Sequence, residues 1–367
     1  MPGEKMAEHS PRPARHPQTP HWLRRVSQSL LGHALLIIVG LFFLIPFLWM
    51  LSTALKTDQD VFRLPPHLLP HDNLRIMIDD EELPLYDVTL EGGLIRRLAL
   101  VEISSDAVGT FVDPADPSIT REVRMRFAEP ILVVAFQWHN FPDAMNRAAR
   151  PGLGVNFWTY LKNSLIVAFF TIIGSLVSSA PAAYGFSRVE WPGRDVIFLV
   201  VLSTIMLPYQ VTMIPLYIVF TDKLQWGDTL LPLIVPSFFG SAFDIFLLRQ
   251  FFRTIPEEMC DAARVDGASE LRIFLSVVLP LSKPALASIA IFTFLWAWND
   301  FVGPSIYLTD PQNFTMALGL QDFRGQHQVA WNLLMAASVV FTLPIVVAFF
   351  FAQRTFIQGV KLTGLKE

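Results

Sequence analysis

The chain is poor in cysteine and in charged residues. Its 367 residues include one cysteine, Cys260, which excludes a disulfide scaffold and a cysteine-rich zinc or iron–sulfur site. Charged residues make up 16% of the sequence, against roughly 25% in an ordinary soluble domain. A net charge of −4 provides no basic surface for nucleic acid, so no nucleic-acid partner is expected. Because 52% of the residues are hydrophobic, the chain has enough apolar side chains to fold.

The sequence also lacks the short motifs of several enzyme classes. It contains no Gly-x-x-x-x-Gly-Lys phosphate loop, no His-Glu-x-x-His zinc motif and no Gly-x-Ser-x-Gly nucleophile elbow. We therefore predict no catalytic residue, no metal site and no cofactor in this chain. Any energy from ATP would have to come from a partner that carries its own phosphate loop.

The apolar residues that are present fall in six long blocks. The blocks cover residues 30–51, 161–186, 196–220, 229–248, 284–307 and 331–351. A helix needs about 20 mostly apolar residues to cross a bilayer, whereas a signal-peptide core has only about 7–15. The blocks therefore predict six transmembrane helices. The third contains Pro208 and Pro215, which membrane helices tolerate.

The distribution of lysine and arginine predicts the orientation of these helices. With a cytoplasmic N-terminus, the inner segments would be 1–28, 187–195, 249–283 and 354–367. They hold 15 basic residues, whereas the short outer loops 221–228 and 308–330 hold two. Because basic residues concentrate in cytoplasmic loops, we expect a multi-pass protein of the cell (plasma or inner) membrane with both termini in the cytoplasm.

The connection between the first two blocks has a different composition, with 16 of the 32 acidic residues. Strand patterns occur at 94–103, at 121–127, where apolar residues and arginines alternate, and at 131–138, which fits a buried strand. We predict a small, mostly antiparallel extracytoplasmic β-domain over about 72–140. Its acidic excess fits a solvated surface. A docking face for a soluble partner and a metal site at 79–82 are the alternatives.

The cytoplasmic loop after the fourth block has a helix–turn–helix pattern. Thr254, three residues before Glu257, fits a capping box and predicts a helix from about 256 to 265. Gly267 permits the positive φ that ends such a helix, and a second helix would begin near Ser269. Small residues in this loop would let another backbone approach closely. An amphipathic helix pair at the membrane interface is the alternative.

This loop resembles the cytoplasmic EAA loop of permease subunits of ABC-type importers. The match lies in Asp261-Ala262-Ala263, Asp266-Gly267-Ala268 and Val278-Leu279-Pro280. The family usually has Glu where this chain has Asp261, which keeps the charge. The resemblance implies a coupling helix that sits in a groove of an ATPase subunit. The residues implied in that contact are Glu257, Glu258, Asp261, Ala262, Ala263, Asp266, Gly267 and Ala268.

Other segments are similar to the sugar-transporter, maltose-type branch of these binding-protein-dependent permeases. They are Asn-Ser-Leu at 163–165, Ala-Ala-Tyr-Gly-Phe-Ser-Arg at 182–188, Phe-Leu-Leu-Arg-Gln-Phe-Phe at 246–252, Trp-Asn-Asp-Phe at 298–301 and Gln-Arg-Thr-Phe at 353–356. The similarity covers about 20–65 and 150–367 and leaves out the β-domain. It implies an all-α polytopic membrane protein with six transmembrane helices, the type I permease fold of ABC importers, and an inserted β-domain.

The resulting organisation has five parts. They are a cytoplasmic tail at 1–28, a first transmembrane helix at 29–52, an extracytoplasmic loop with the β-domain at 53–158, a transmembrane permease domain at 159–353 with the coupling loop 253–283, and a cytoplasmic tail at 354–367. The resemblance implies three kinds of partner besides membrane lipid. They are a second permease subunit, two ATPase subunits and an extracytoplasmic solute-binding protein.

Polar residues inside the apolar blocks are candidates for the substrate path, because such groups usually face protein or a cavity. The candidates are Gln210, Asp244, Trp296, Trp298, Asn299 and Asp300. Planar hydrogen-bonding groups beside aromatic faces would suit a carbohydrate. Hydrogen bonding between helices and a position at the membrane interface are the alternatives. A permease for glycerol phosphate or another polyol, and a membrane receptor with an external β sensor domain, are the competing functions.

Overall fold

The computed structural model describes residues 21–90, 92–104, 106–147, 154–323 and 329–363. Contacts divide the chain into two units, residues 1–49 and 50–367. Most of the predicted N-terminal tail, residues 1–20, and the end of the C-terminal tail, residues 364–367, lie outside the described residues.

The first helix, α1, spans His21–Ala54 and crosses the boundary between the two units. Its part Gly32–Ala54 is almost purely apolar, and 23 residues are long enough to cross a bilayer. Pro46 lies inside the helix without ending it, which apolar membrane helices tolerate.

The second unit contains further helices separated by short turns. They are α2 Asp58–Val61, α3 Asn140–Asn146, α4 Phe157–Ser187, α5 Arg194–Ser203, α6 Tyr209–Ile218, α7 Leu231–Ile234, α8 Ala242–Phe252, α9 Glu257–Val265, α10 Glu270–Ile273, α11 Leu279–Leu281, α12 Lys283–Asn299, α13 Val302–Tyr307, α14 Met316–Gly319 and α15 Trp331–Thr363. The segments Val219–Lys223 and Phe274–Val278 are π-helical, and Val235–Phe239 is a 3₁₀ segment between α7 and α8. These irregular turns break up what hydropathy alone presents as uniform blocks.

Within the described residues, four helices are long and apolar enough to span a membrane. They are Gly32–Ala54, Phe157–Ser187, Leu231–Phe252 and Trp331–Gln353. Two bent pairs, Arg194–Met206 with Tyr209–Lys223 and Glu270–Leu281 with Lys283–Asn299, raise the number to six if each pair is one span. The second unit and α1 are therefore mostly helical, with four to six candidate spans among the described residues.

The third predicted block is not one straight helix. Arg194–Met206 and Tyr209–Lys223 meet at an angle of 93°. Leu207 is extended, with φ −75° and ψ 117°, and Pro208 follows it. A residue before proline avoids the helical conformation and proline itself donates no backbone hydrogen bond, so the helix breaks there.

Helix α4 lies at the centre of the helical packing, against α8 and α12. Its small residue Gly174 faces Ser237 and Phe238 so closely that no larger side chain would fit without a shift. One apolar cluster surrounds the start of α4 at Phe157 and Tyr160. A second cluster surrounds its end and includes residues of the cytoplasmic loop.

The insertion between α2 and α3 is an antiparallel β-domain, as predicted. Its strands are β1 His71–Asn73, β2 Arg75–Ile78, β3 Glu81–Thr89, β4 Ile95–Ile103, β5 Val108–Asp113, β6 Asp116–Arg124, β7 Ala128–Pro130 and β8 Leu132–Val134. The main sheet has the order β2-β3-β4-β5-β6, with β7 also paired to β3, and β1 pairs with β8. Asp79 and Asp80 have positive φ and form the turn between β2 and β3. Within the described residues, no three His, Cys, Asp or Glu side chains gather as a metal site.

Two of the strand expectations need correction. The segment 131–138 is not a buried strand, because β1 offers only three residues for pairing and the strand ends at Val134. Beyond it, Phe136 and Trp138 are exposed. The alternation at 121–127 ends at Arg124, after which Met125–Phe127 form a 3₁₀ turn that leads into β7.

Candidate functional site

The loop after α8 forms the predicted pair of short helices. Helix α9 ends at Val265 with Asp266 as its C-cap, and Gly267 follows with φ +80°, as its position requires. Ser269 caps α10 by accepting a hydrogen bond from the backbone N–H of Arg272 at 3.4 Å. The expected capping box at Thr254 is wrong, because its hydroxyl donates instead to the carbonyl of Phe251 at 2.7 Å.

Helix α9 has one buried residue, and most of its other residues are exposed. Cys260 is fully buried in the second apolar cluster, beside Ile255 and Ile273, so it acts as a small packing residue. Of the predicted coupling residues, Ala263 and Ala268 are half-buried against this cluster. The exposed ones are Glu257, Glu258, Asp261, Ala262, Asp266 and Gly267. This small and acidic surface is available to a partner.

Exposed apolar side chains extend the same surface. Val265, the last residue of α9, is 88% exposed, and Leu271 in α10 is 66% exposed. Met259 is also exposed. Apolar side chains beside acidic ones are typical of a surface that another protein covers.

A hydrogen-bond network fixes the loop to α4. Arg264 donates to Asp261 Oδ1 at 2.7 Å and to Glu270 Oε1 at 3.0 Å. These hydrogen bonds favour the charged guanidinium and raise the pKa of Arg264 above its ordinary value. The hydroxyl of Tyr184, near the end of α4, donates to Glu270 Oε2 at 2.5 Å. The network therefore joins α9, α10 and α4.

Two arginines join the ends of neighbouring helices beside this network. Arg188 donates to the backbone carbonyls of Phe252 and Ile255, which close α8 and its following turn. Arg249 in α8 donates to the carbonyl of Phe186 at 3.0 Å and pairs with Asp195 at 3.3 Å. The sequence motif at 182–188 contains Tyr184 and Arg188, but hydropathy did not indicate their partners.

A cavity of about 580 Å³ lies between the helices of the second unit. Asp244 is buried in its wall, in the first turn of α8, and Ser241 caps that turn. The carboxylate accepts a hydrogen bond from Ser175 of α4 at 2.5 Å, and Thr293 of α12 donates to the Ser175 oxygen at 3.5 Å. Three helices therefore meet at one carboxylate.

A second carboxylate and several aromatic rings complete the lining. Asp300 follows α12 and accepts a hydrogen bond from the backbone N–H of Gly303 at 3.0 Å. The aromatic lining residues are Tyr209, Phe220, Phe243, Phe292, Trp296 and Tyr307. The described lining contains these two carboxylates and no lysine, arginine or histidine. Such a site offers hydrogen-bond acceptors beside apolar faces.

The structure brings three of the six predicted path residues to this cavity: Asp244, Trp296 and Asp300. Trp298 is buried elsewhere, where its indole donates to the carbonyl of Phe341 at 3.0 Å. Asn299 donates to the carbonyl of Leu295 in its own helix at 2.8 Å.

Gln210 also lies outside the lining, although its neighbour Tyr209 is part of it. Sequence reasoning missed Ser175, Thr293, Tyr209 and Tyr307. The break at Pro208, which places Tyr209 at the start of a helix, was the one available signal for them.

Comparisons with known proteins agree with this architecture. The family described as binding-protein-dependent transport system inner membrane component matches residues 171–362. Over 210 residues the chain is 35% identical to the arabinooligosaccharides transport system permease protein AraQ of Halalkalibacterium halodurans, which covers 57% of this chain and 75% of that protein. Over 213 residues it is 37% identical to the sn-glycerol-3-phosphate transport system permease protein UgpE of Salmonella typhimurium, with the same coverages.

A solved structure supports the fold. A bacterial ABC transporter involved in the import of the acidic polysaccharide alginate matches 92% of this chain and 99% of its own chain, with a TM-score of 0.62. The sequence identity is 19%, so the likeness concerns the fold alone. The family match begins at residue 171 and therefore leaves the β-domain outside it.

Proposed function

Because the chain belongs to the family of binding-protein-dependent transport system inner membrane components, we propose that it forms, with a second permease subunit, the transmembrane path of an ABC importer for a carbohydrate. Membership of this family makes the chain a multi-pass membrane transport subunit, which replaces the receptor alternative. In this proposal each bent helix pair is one span, which gives six spans in all.

The lining of the cavity between the helices is the observation that favours a carbohydrate as the transported solute. Aromatic faces such as Trp296 and Tyr209 suit the C–H faces of sugar rings, and the carboxylates of Asp244 and Asp300 accept hydrogen bonds from sugar hydroxyls. A phosphate group would meet two acidic side chains and no cation among the described lining residues. We therefore favour a neutral carbohydrate over glycerol phosphate, although UgpE is named for the latter.

The exposed surface of α9 is the proposed contact with the ATPase. ATP hydrolysis takes place in two partner subunits, and their closure would move α9 and α10. Tyr184 ties this loop to α4, and Ser175 on the same helix contacts the cavity nine residues earlier, about 14 Å along the axis. A helix that is held at these two points would transmit displacement between the two sites.

The proposed orientation places α9 in the cytoplasm and the β-domain outside. It rests on the 15 basic residues of the inner segments against two in the short outer loops. The β-domain is the proposed docking platform for the solute-binding protein. Deleting residues 72–140 is expected to weaken that docking, and normal uptake by the deletion variant would contradict this role.

Reconstitution tests the proposed function. Proteoliposomes that contain the chain with its second permease and two ATPase subunits, plus the solute-binding protein, are expected to take up a labelled neutral oligosaccharide when ATP is present. Glycerol 3-phosphate is the matched competitor. ATP-dependent uptake of glycerol 3-phosphate alone would contradict the carbohydrate proposal. Full transport by the chain purified as a lone monomer would contradict the importer assembly.

A further inference from the structure

The main sheet of the β-domain is curled. Strand β6 lies at one edge, and β7 pairs with β3 near the other edge, yet only residues 125–127 connect β6 to β7. Such a short connection requires the two edges to approach each other. The concave face contains an apolar cluster around Val88, Leu98 and Phe111.

Two arginines share this concave face with the apolar cluster. Arg96 is opposite Val88 in the β3–β4 pair, and Arg121 is opposite Phe111 in the β5–β6 pair. Residues directly opposite each other in antiparallel strands lie on the same face of the sheet. A cavity of about 890 Å³ lies at this end of the face. We call it the arginine cavity, because Arg96, Arg121, Arg124 and Arg126 line it, with Glu122 as the one acidic residue of the described lining.

Only one of these arginines has an acidic partner among the described residues. Arg96 pairs with Asp113 at 3.6 Å. Among the described residues, no ion pair is formed by the other three, Arg121, Arg124 and Arg126. The guanidinium carbon of Arg126 lies 4.5 Å from the centre of the Phe127 ring. The segment that contains the cavity is otherwise rich in acidic residues. Arg96 and Arg121 lie on the same face of the sheet and line the same cavity, so their positive charges repel each other, and a bound anion would relieve that repulsion.

We propose that the arginine cavity binds the carboxylate or phosphate groups of a small anionic solute. Guanidinium groups match both groups with paired hydrogen bonds. The concave shape favours a small molecule over a protein surface, and Leu90, Leu94 and Phe127 in the lining suit its carbon skeleton. This site goes beyond the proposed transport function, since the transmembrane cavity holds carboxylates and suits a neutral solute.

Calorimetric titration of the full chain tests the proposal. The chain is placed in nanodiscs of zwitterionic phosphatidylcholine and titrated with tripolyphosphate, trigalacturonate and, as the neutral reference, maltotriose. At least one of the two anions is expected to bind more weakly to R121S/R124S than to the unaltered chain, whereas any maltotriose binding belongs to the transmembrane cavity and is expected to be the same in both. Since the ligand is held by charge, raising the salt concentration from about 0.05 M to about 0.5 M is expected to weaken binding at least tenfold. The two anions distinguish a phosphate ligand from a carboxylate ligand.

Variants locate the site. R121S/R124S is expected to weaken anion binding at least about tenfold, which corresponds to about 1.4 kcal/mol. R75S is the matched control, because Arg75 is exposed on β2 outside the cavity and its removal should change nothing. R121K/R124K retains the charge and is expected to bind with intermediate affinity, which keeps the test valid if the serine variant misfolds.

Two outcomes would overturn the proposal: neither anion binds the intact chain, or R75S weakens binding as much as R121S/R124S does. If neither anion binds and R121S/R124S weakens docking of the solute-binding protein, the cavity is a protein contact instead. The readout is binding, so it does not depend on transport or on the identity of the transported solute.

Discussion

The hydroxyl of Tyr184 donates a 2.5 Å hydrogen bond to Glu270, and this contact joins α4 to the cytoplasmic loop. Glu270 also accepts from Arg264 of α9, so one carboxylate connects three helices. The middle of α4 contacts the buried Asp244 through Ser175. The two acidic side chains, one at the loop and one at the cavity, are thus held by the same helix.

Removing the Tyr184 hydroxyl is expected to uncouple the loop from the cavity. Y184F keeps the ring, which packs against Phe274 with centroids 5.1 Å apart, and loses only the hydrogen bond. A hydrogen bond to a charged group contributes about 1.5–3 kcal/mol, so we expect transport to fall several-fold while ATP hydrolysis persists. Uptake per ATP hydrolysed in proteoliposomes measures this.

T254A is the matched control for Y184F. Its hydroxyl bonds only to the neighbouring carbonyl of Phe251 and joins no two helices. T254A should therefore transport normally. An unchanged ratio of uptake to ATP hydrolysis in Y184F would show that the Tyr184–Glu270 contact has no part in coupling.

A bulky residue at Ala262 is expected to block contact with the ATPase. Ala262 is exposed on α9, so a leucine there would project into solvent in the isolated chain. It would cause a steric clash only when α9 sits in a groove of a partner. A262L should insert in the membrane normally and lose most ATPase binding in co-purification. A115L, at an exposed turn of the β-domain, is the control with the same added volume. Normal ATPase binding by A262L would exclude α9 as the coupling helix.

Neutralising the cavity carboxylates is expected to change the preference for charge. D244N/D300N keeps the size of both side chains and their capacity to accept hydrogen bonds, but it removes two negative charges. Glycerol 3-phosphate should then inhibit sugar uptake in proteoliposomes more strongly than it does with the unaltered chain. D222N, which removes a charge at an exposed residue outside the cavity lining, is the control. Equal inhibition of D244N/D300N and the unaltered chain would contradict an electrostatic role for the cavity.

The sequence predicted where local elements lie better than how they bend and which of their faces line a cavity. The start of α10 at Ser269, the turn at Gly267 and strand β4 follow from capping, glycine and turn signals that act within a few residues. The 93° break before Tyr209 did not follow, because a proline is compatible with either a mild kink or a full turn. Trp298 also shows this limit, since hydropathy does not tell which face of an apolar helix lines a cavity.

Asp228 is expected to stabilise the turn at 308–313 at neutral pH. It accepts hydrogen bonds from the backbone N–H groups of Thr309 and Asp310, each at 2.9 Å. Burial alone would raise the pKa of Asp228, but the hydrogen bonds that its charged form accepts outweigh burial and lower it. Because the pKa is lower in the folded state, the stabilisation is complete at pH values above the unfolded-state pKa of about 3.9. It is lost as the pH falls through the lower folded-state pKa.

The amide protons of Thr309 and Asp310 report this stabilisation directly. At pH 7 we expect both to exchange with solvent faster in D228N, because an amide oxygen accepts a weaker hydrogen bond than a carboxylate does. D222N is the matched control, since Asp222 lies in the preceding segment and its carboxylate accepts none of these hydrogen bonds. As the pH falls below the folded pKa, protection in the unaltered chain, corrected for intrinsic exchange, should approach that of D228N. Equal protection in the two proteins at pH 7 would mean that the Asp228 charge does not hold this turn.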